Sequence, residues 1–229
     1  MMDIIKSDIY KLVRDKQTII LIALYFIFDL LAWFFAINLE TLRPAEILEL
    51  NTADFGMLFL FVTISAVSIF AIDYSSDALK EILPYHSRKK LFISKLILVI
   101  LVSFTLQLIC YLMGILYSVV FIGSLPSFSD VISYAERFIS HYMIILANIG
   151  FVLLLSSFFK QRYLINALTL ISLLIVRFFP VGNGMFLFDY LNSQFVWEIG
   201  FNLIFIISSF LVSAVFFYIG YLLFSKREV

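Results

Sequence analysis

The feature that most constrains this chain is a succession of six apolar runs of the length that crosses a lipid bilayer. They are continuous in Phe, Ile and Leu rather than alternating, which favours helices over a membrane β-barrel. A charged fraction of 14%, against about 25% in soluble domains, agrees with an integral membrane protein. The predicted spans are Thr18–Ile37, Phe55–Ile72, Leu96–Ile122, Phe138–Phe159, Tyr163–Phe179 and Ile199–Phe224.

Three shorter segments are predicted to lie in the membrane surface. Within residues 1–16, apolar side chains recur at helical spacing, which predicts an amphipathic interfacial helix, with a solvated tail as the alternative. Asp130–Arg137 is predicted to be a short interfacial helix before the fourth span. Residues 180–198 mix Gly and Pro with aromatic residues, which predicts an interfacial or re-entrant segment before the last span. The fold prediction is one all-α transmembrane domain over 1–229.

The basic residues predict the orientation. With six spans, one side of the membrane carries thirteen of the sixteen Lys and Arg residues, in both termini and two loops. The positive-inside rule makes this side cytoplasmic, so we expect a multi-pass protein of the cell membrane with both termini inside. No interval between spans is long enough for a nucleotide-binding domain, and any chemical energy must come from another chain or an ion gradient. A net charge of zero gives no indication of nucleic acid binding.

The longest charged interval between spans is the polar island, Asp73–Lys95. Asp73 and Ser75 or Ser76 can cap a helix that Pro84 ends. One face of this short helix is apolar and the other polar. A basic cluster of Arg88, Lys89 and Lys90 follows, and Lys95 lies at the mouth of the third span. The island is either a loop that fixes topology and binds anionic lipid, or a docking site for a cytosolic partner. We favour the second because a topological loop needs no capped helix.

The island resembles the cytoplasmic loop of the type-2 ATP-binding-cassette (ABC) transporter permeases. The resemblance is carried by Leu79, Leu83 and Pro84, followed by Ser87, Arg88, Lys89 and Lys95. Members of that family also have six spans, an N-terminal amphipathic helix and an interfacial or re-entrant pair before the last span. The loop pattern covers about twenty-five residues, and the topology covers the whole chain.

The resemblance implies that residues 73–90 hold a coupling helix that docks in a cleft of a cytosolic ATPase and transmits its closure. The docking residues would be Ser76, Asp77, Leu79, Lys80, Ile82, Leu83, Pro84, Arg88 and Lys89. It further implies two ATPase copies with ATP and magnesium, a second permease chain, identical or similar, and a bacterial plasma membrane. Because the chain lacks the large extracellular domain of some members, it is expected to export, or give immunity against, a hydrophobic or amphipathic substrate such as a peptide.

Polar groups inside the spans are few. Asp29 would cost roughly 2.5–3.5 kcal/mol at the centre of a span, so we predict an ion pair with Arg177, with separate solvation of the two charges as the alternative. Gln107, Asn148, Asn166 and Asn202 are expected to form hydrogen bonds between helices. His141 is expected to be an interfacial polar residue rather than a ligand, and neither a metal site nor a catalytic motif is expected.

Two other functions remain open at this point. The chain could be a regulatory or assembly subunit of the membrane without transport of its own, or a proton-coupled carrier that uses Asp29. The sequence does not identify the substrate, the direction of transport beyond family habit, or whether two permeases in a dimer are identical.

Overall fold

The computed structural model describes residues 2–16, 19–20, 23–24, 26–27, 30–31, 43–45, 48, 69, 87–159, 161, 163–165, 167–169, 171 and 203–226. These residues form helices and turns, with no β-strand among them. Four α-helices are described from end to end: α1 (Met2–Arg14), α2 (Arg88–Tyr117), α3 (Phe128–Phe158) and α4 (Leu203–Lys226). A π-helical turn, Ser118–Ile122, continues α2.

Three of these helices are long and apolar enough to cross a membrane: Arg88–Ile122, Phe128–Phe158 and Ile206–Lys226. Their outward faces carry large apolar side chains, as lipid contact requires. On α2 these include Leu101, Leu108, Leu112 and Leu116, and on α4 Ile204, Phe210, Leu211 and Val215. The described residues therefore confirm an all-helical fold with membrane-spanning helices, whereas the count of six stays a prediction.

Helix α2 begins earlier than predicted. The third span was expected from Leu96, with the basic cluster in a loop before it, but the helix begins at Arg88 and the cluster lies in its first turns. The cause is Ser87, whose hydroxyl accepts a hydrogen bond from the Lys90 amide at 3.4 Å as the N-cap. The basic residues are thus attached rigidly to the span.

Helix α3 is continuous over the segment predicted as two pieces. Asp130–Arg137 is not a separate interfacial helix, because it belongs to the first turns of α3. Ser127 and Asp130 form a capping box at the start of this helix, in which each side chain accepts from the backbone amide of the other residue. Gly123, at φ 73°, ends the preceding turn in the left-handed conformation, which places the break between α2 and α3.

Helices α3 and α4 form the most extensive helix pair among the described elements. Gly150 faces Phe216, and seven residues further along α3 the Ser157 hydroxyl donates to the Gly220 carbonyl at 3.3 Å. The two helices therefore run in the same direction. Small residues lie in this contact, Gly150 on α3 against Phe216 and Gly220 on α4 against Leu153, and they let the helices approach closely.

Helix α2 runs antiparallel to both. Its later part meets the early part of α3, because the Gln107 amide donates to the Phe138 carbonyl at 3.0 Å. Its first turns meet the end of α4, where Phe92 packs against Phe224. The start of α2, the end of α3 and the end of α4 therefore lie at one end of the bundle, and α1 packs there against α2.

Candidate functional site

The first turns of α2 are held by side chains that reach three other elements, and we call this region the α2 junction (Ser87–Lys95). On the α4 side, the Arg88 guanidinium donates to the Ser225 carbonyl at 2.8 Å. This carbonyl lies in the last turn of α4, where helix carbonyls lack intrahelical partners and favour a cation. One turn further along α2, the Phe92 ring meets Tyr221 edge-on, with 5.4 Å between ring centroids.

On the opposite side of the junction, Lys95 is buried with 1% of its surface exposed. Its Nζ lies 3.6 Å from the Asp8 Oδ2 of α1 and donates to the Ile69 carbonyl at 3.1 Å. Asp8 is itself only 6% exposed, and Lys11 approaches its other oxygen at 3.7 Å. A buried charge is tolerated only when it is paired and hydrogen-bonded, and Lys95 satisfies both conditions.

Helix α1 therefore has a face against the protein that its apolar spacing did not predict. Ile4 and Asp8 are buried, and Ile5 and Leu12 pack against the main core cluster. Ile9 and Val13, expected on the same apolar face, are exposed. One side of α1 thus contacts α2 and the core, and its neighbouring side presents apolar residues outward. Placement of α1 in the membrane surface stays a prediction.

A second polar cluster lies between α2 and α3 beyond the middle of α2. The Tyr111 hydroxyl and the His141 Nδ1 are 2.7 Å apart, and both side chains are buried. Tyr134 and Phe138 surround the Tyr111 ring, with centroids 4.4 and 4.8 Å away. His141, expected to be an interfacial polar residue rather than a ligand, is carried by continuous α3 into the contact with α2, where it is buried. Its placement at the membrane interface stays a prediction.

Residues 4–180 match the family described as ABC-2 family transporter protein. The chain belongs to this ABC-2 transporter family. No curated protein matches it. The matched region covers the three elements α1, α2 and α3, and with them both partners of the Asp8–Lys95 pair. The resemblance drawn from the polar island is therefore confirmed at the level of the family.

Membership has direct consequences for this ABC-2 permease. Chains of this family are membrane subunits of a transporter and are not themselves catalytic, and the family implies an ABC ATPase as partner. Together with the apolar helices it indicates a membrane location.

Most of the predicted docking residues lie outside the described residues of the permease. This applies to Ser76, Asp77, Leu79, Lys80, Ile82, Leu83 and Pro84, to the predicted pair Asp29 and Arg177, and to the segment 180–198. Of the two that are described, Arg88 turns to the end of α4, whereas Lys89 is exposed on α2. The predicted role of these residues in docking stays a prediction.

Sequence reasoning missed one partner of the junction and misplaced the other. Lys95 is expected at the mouth of the third span, after the basic cluster, but it is buried against α1. Asp8 was assigned no role, although it stands at helical spacing between Ile4 and Leu12, where an amphipathic helix would carry an apolar residue. An acidic residue within an apolar stripe was the available signal that this face contacts protein.

Proposed function

We propose that this ABC-2 permease couples ATP hydrolysis by a separate cytosolic ATPase to export of, or immunity against, a hydrophobic or amphipathic substrate such as a peptide. The observation that carries the proposal is the α2 junction, which forms the last part of the polar island and is bonded to α1, to residue 69 and to the end of α4. A force applied to the island would therefore reach three parts of the permease at once.

The proposed sequence of events starts with the helix predicted inside the island, Ser76–Leu83, which docks in a cleft of the ATPase. Closure of the ATPase on ATP displaces this helix. Because Ser87 caps α2 and Arg88 is its first residue, the displacement acts on a continuous helix of thirty residues rather than on a flexible loop. Helices are stiff over such lengths, so the motion reaches the far end of the span.

The assembly that we propose contains two permease chains, identical or similar, and two ATPase copies that bind ATP and magnesium. The exposed apolar faces of α2 and α4 are suited to lipid and to a second permease. Both termini and the island would face the cytoplasm of a bacterial cell, in keeping with the distribution of Lys and Arg. An Asp29–Arg177 pair would keep two costly charges out of contact with lipid.

Co-purification of an ABC ATPase with the full chain, extracted from its native membrane, tests the proposal. We expect a stable complex in detergent. The double variant Leu79→Asp, Leu83→Asp should insert into the membrane normally but co-purify with at least ten-fold less ATPase. The reason is that two carboxylates on the apolar face of the island helix cannot be buried in a cleft without partners.

The matched control is Ser7→Asp, which adds a carboxylate on the exposed side of α1 and should leave ATPase binding unchanged. If the wild-type permease forms no complex with an ATPase, the non-transporting assembly subunit is favoured. Substrate transport that is driven by a proton gradient without the ATPase, and that Asp29→Asn abolishes, would favour the proton-coupled carrier. Wild-type ATPase binding by the island variant would remove the island from docking.

A further inference from the structure

We propose that the buried Asp8–Lys95 pair fixes α1 to the start of α2, so that α1 moves together with the α2 junction, and that Lys95 is the positioning residue for this motion. The pairing itself is independent of the proposed function. Only the source of the motion, displacement of the polar island by an ATPase, rests on that proposal.

The geometry confines Lys95 to this role. The side chain leaves α2 two turns after the N-cap Ser87 and ends between two elements, with its Nζ near the Asp8 carboxylate and on the Ile69 carbonyl. Both charged side chains are more than nine-tenths buried. Neither can exchange its partner for water without leaving its place, so a shift of the α2 junction either carries Asp8 with it or separates two buried charges.

Apolar packing alone would not position α1 in the same way. Ile4, Ile5 and Leu12 could hold the helix against the core in several registers, because hydrophobic contact is not directional. A buried ion pair adds little net stability compared with an apolar pair of similar volume, but removal of one partner is costly. Lys11 also approaches Asp8 but belongs to the same helix, so the contact that crosses to α2 is the one with Lys95, and it selects one rotation and one register of α1.

The exposed side of α1 gives this coupling a consequence. Ile9 and Val13 point away from the protein beside the basic residues Lys6 and Arg14, an arrangement suited to the boundary between lipid tails and headgroups. If α1 follows the α2 junction, then every displacement of the island also displaces a helix that contacts the inner surface of the membrane. The transport cycle would act on the bilayer next to the permease as well as on the spans.

The first experiment measures the contact in the full permease alone. Spin labels are placed at Ser7→Cys on α1 and Lys90→Cys on α2, both exposed, in a Cys110→Ala background in lipid nanodiscs, diluted with unlabelled chain. Pulsed electron paramagnetic resonance should give one narrow distance distribution. Lys95→Met and Asp8→Leu should each widen it at least two-fold, and the Asp8→Leu, Lys95→Met double variant should be no wider than the single ones. Lys95→Arg, which keeps the charge, should give the narrow distribution.

This pattern is non-additive, as it must be if the two residues act on each other. A single variant that fails to fold, while the double variant folds and gives the widened distribution, supports the same contact, because the double variant leaves no buried charge without its partner. Lys95→Met and Asp8→Leu at the wild-type width, or a double variant as wide as the two single effects added together, would overturn the proposal, because the two residues would then act independently of each other.

The second experiment adds the ATPase. It measures two spin-label distances to Ile132→Cys near the start of α3, one from Ser7→Cys and the other from Lys90→Cys. When the ATPase is trapped with vanadate after ATP hydrolysis, both distances should change together in the protein that keeps the Asp8–Lys95 pair. In Lys95→Met only the distance from Lys90→Cys should change. Movement at Lys90 without movement at Ser7 in the wild-type pair would contradict transmission to α1 and leave the proposed function intact. If the ATPase does not bind, or Lys90 does not move, the proposed function and the transmission fail, and the first experiment still decides the contact.

Discussion

The α2 junction and the contact between α3 and α4 hold helices together by opposite means. In the α3–α4 contact, Gly150 and Gly220 leave no room for a side chain, and backbones meet almost directly. In the α2 junction, two long cationic side chains, Arg88 and Lys95, cross the space between elements and end on carbonyls and a carboxylate. The first contact depends on shape and the second on charge.

This difference separates a rigid part of the molecule from a movable one. Close-packed interiors are not continuously deformable, so α3 and α4 must move as one body. The Arg88 side chain is only partly buried, has several rotatable bonds and can keep its hydrogen bond to the Ser225 carbonyl while α2 shifts against α4. The buried Lys95, in contrast, keeps α1 attached to α2. We therefore expect motion that starts at the polar island to pivot about the α2 junction and to leave the α3–α4 contact unchanged.

The largest effect on stability is expected at the charged contact. Lys95→Met removes the buried ammonium of the pair and leaves the Asp8 carboxylate with the partly exposed Lys11, 3.7 Å away. It should lower the free energy of unfolding by up to about 3–5 kcal/mol, the range for a broken buried ion pair. Thermal unfolding in detergent, followed by circular dichroism, measures the loss. Lys90→Met, which removes an exposed Lys from the same helix, is the control and should change stability by no more than about 0.5 kcal/mol.

Equal stability of the two variants would mean that the Lys95 charge contributes nothing to the junction. The comparison between a contact held by charge and a contact held by shape would then fail. The double variant Asp8→Leu, Lys95→Met adds a further check, because an apolar pair of similar volume should recover most of the lost stability.

A somewhat smaller effect is expected at the close contact. A side-chain carbon at position 150 would lie 2.7 Å from the Cβ of Phe216, which is fixed to the α4 backbone and cannot swing away. Gly150→Leu should therefore push α3 and α4 apart and lower the free energy of unfolding by about 1–3 kcal/mol, the usual range for overpacking. The same thermal measurement applies, with Ala135→Leu on the exposed side of α3 as the matched control.

If Gly150→Leu unfolds like the Ala135→Leu control, the helices can separate at little cost, and the α3–α4 contact is not the rigid body that its geometry suggests. If Gly150→Leu instead fails to insert into the membrane, Gly150→Ala is measured in its place and decides between these outcomes. This variant adds only one carbon at the same clash and should still be less stable than wild type.

The sequence could predict those features of the two regions that depend on a local pattern of residues. The spans α2, α3 and α4 were predictable because uninterrupted apolar length is a local property. The start of α2 at Arg88 was missed because a basic cluster suggests a loop at the headgroups, whereas the Ser87 cap outweighs that tendency. Asp130–Arg137 was separated from α3 because its polarity was taken to mark a boundary, although its capping box starts one continuous helix.

The partners of buried polar groups could not be predicted from local patterns. Lys95 and Asp8 are 87 residues apart, and nothing in the spacing of either helix names the other. The same holds for Tyr111 and His141, which meet only because α2 and α3 are antiparallel. Membrane-spanning sequences show which residues must be shielded from lipid, but pairing depends on how the helices pack, and this is a tertiary property.

The smallest expected effect tests whether the α3–α4 contact depends on shape alone. The Ser157 hydroxyl donates to the Leu153 carbonyl of its own helix at 2.8 Å and to the Gly220 carbonyl of α4 at 3.3 Å. Because the bond within the helix is shorter, the bond across the helices adds little, and Ser157→Ala should lower the free energy of unfolding by about 0.6 kcal/mol or less. A loss of more than about 1.5 kcal/mol would show that this contact also depends on a polar link. The distinction from the α2 junction would then be one of degree. A shift of α4 along α3 during transport would also become feasible, because a hydrogen bond can exchange partners whereas a steric contact cannot.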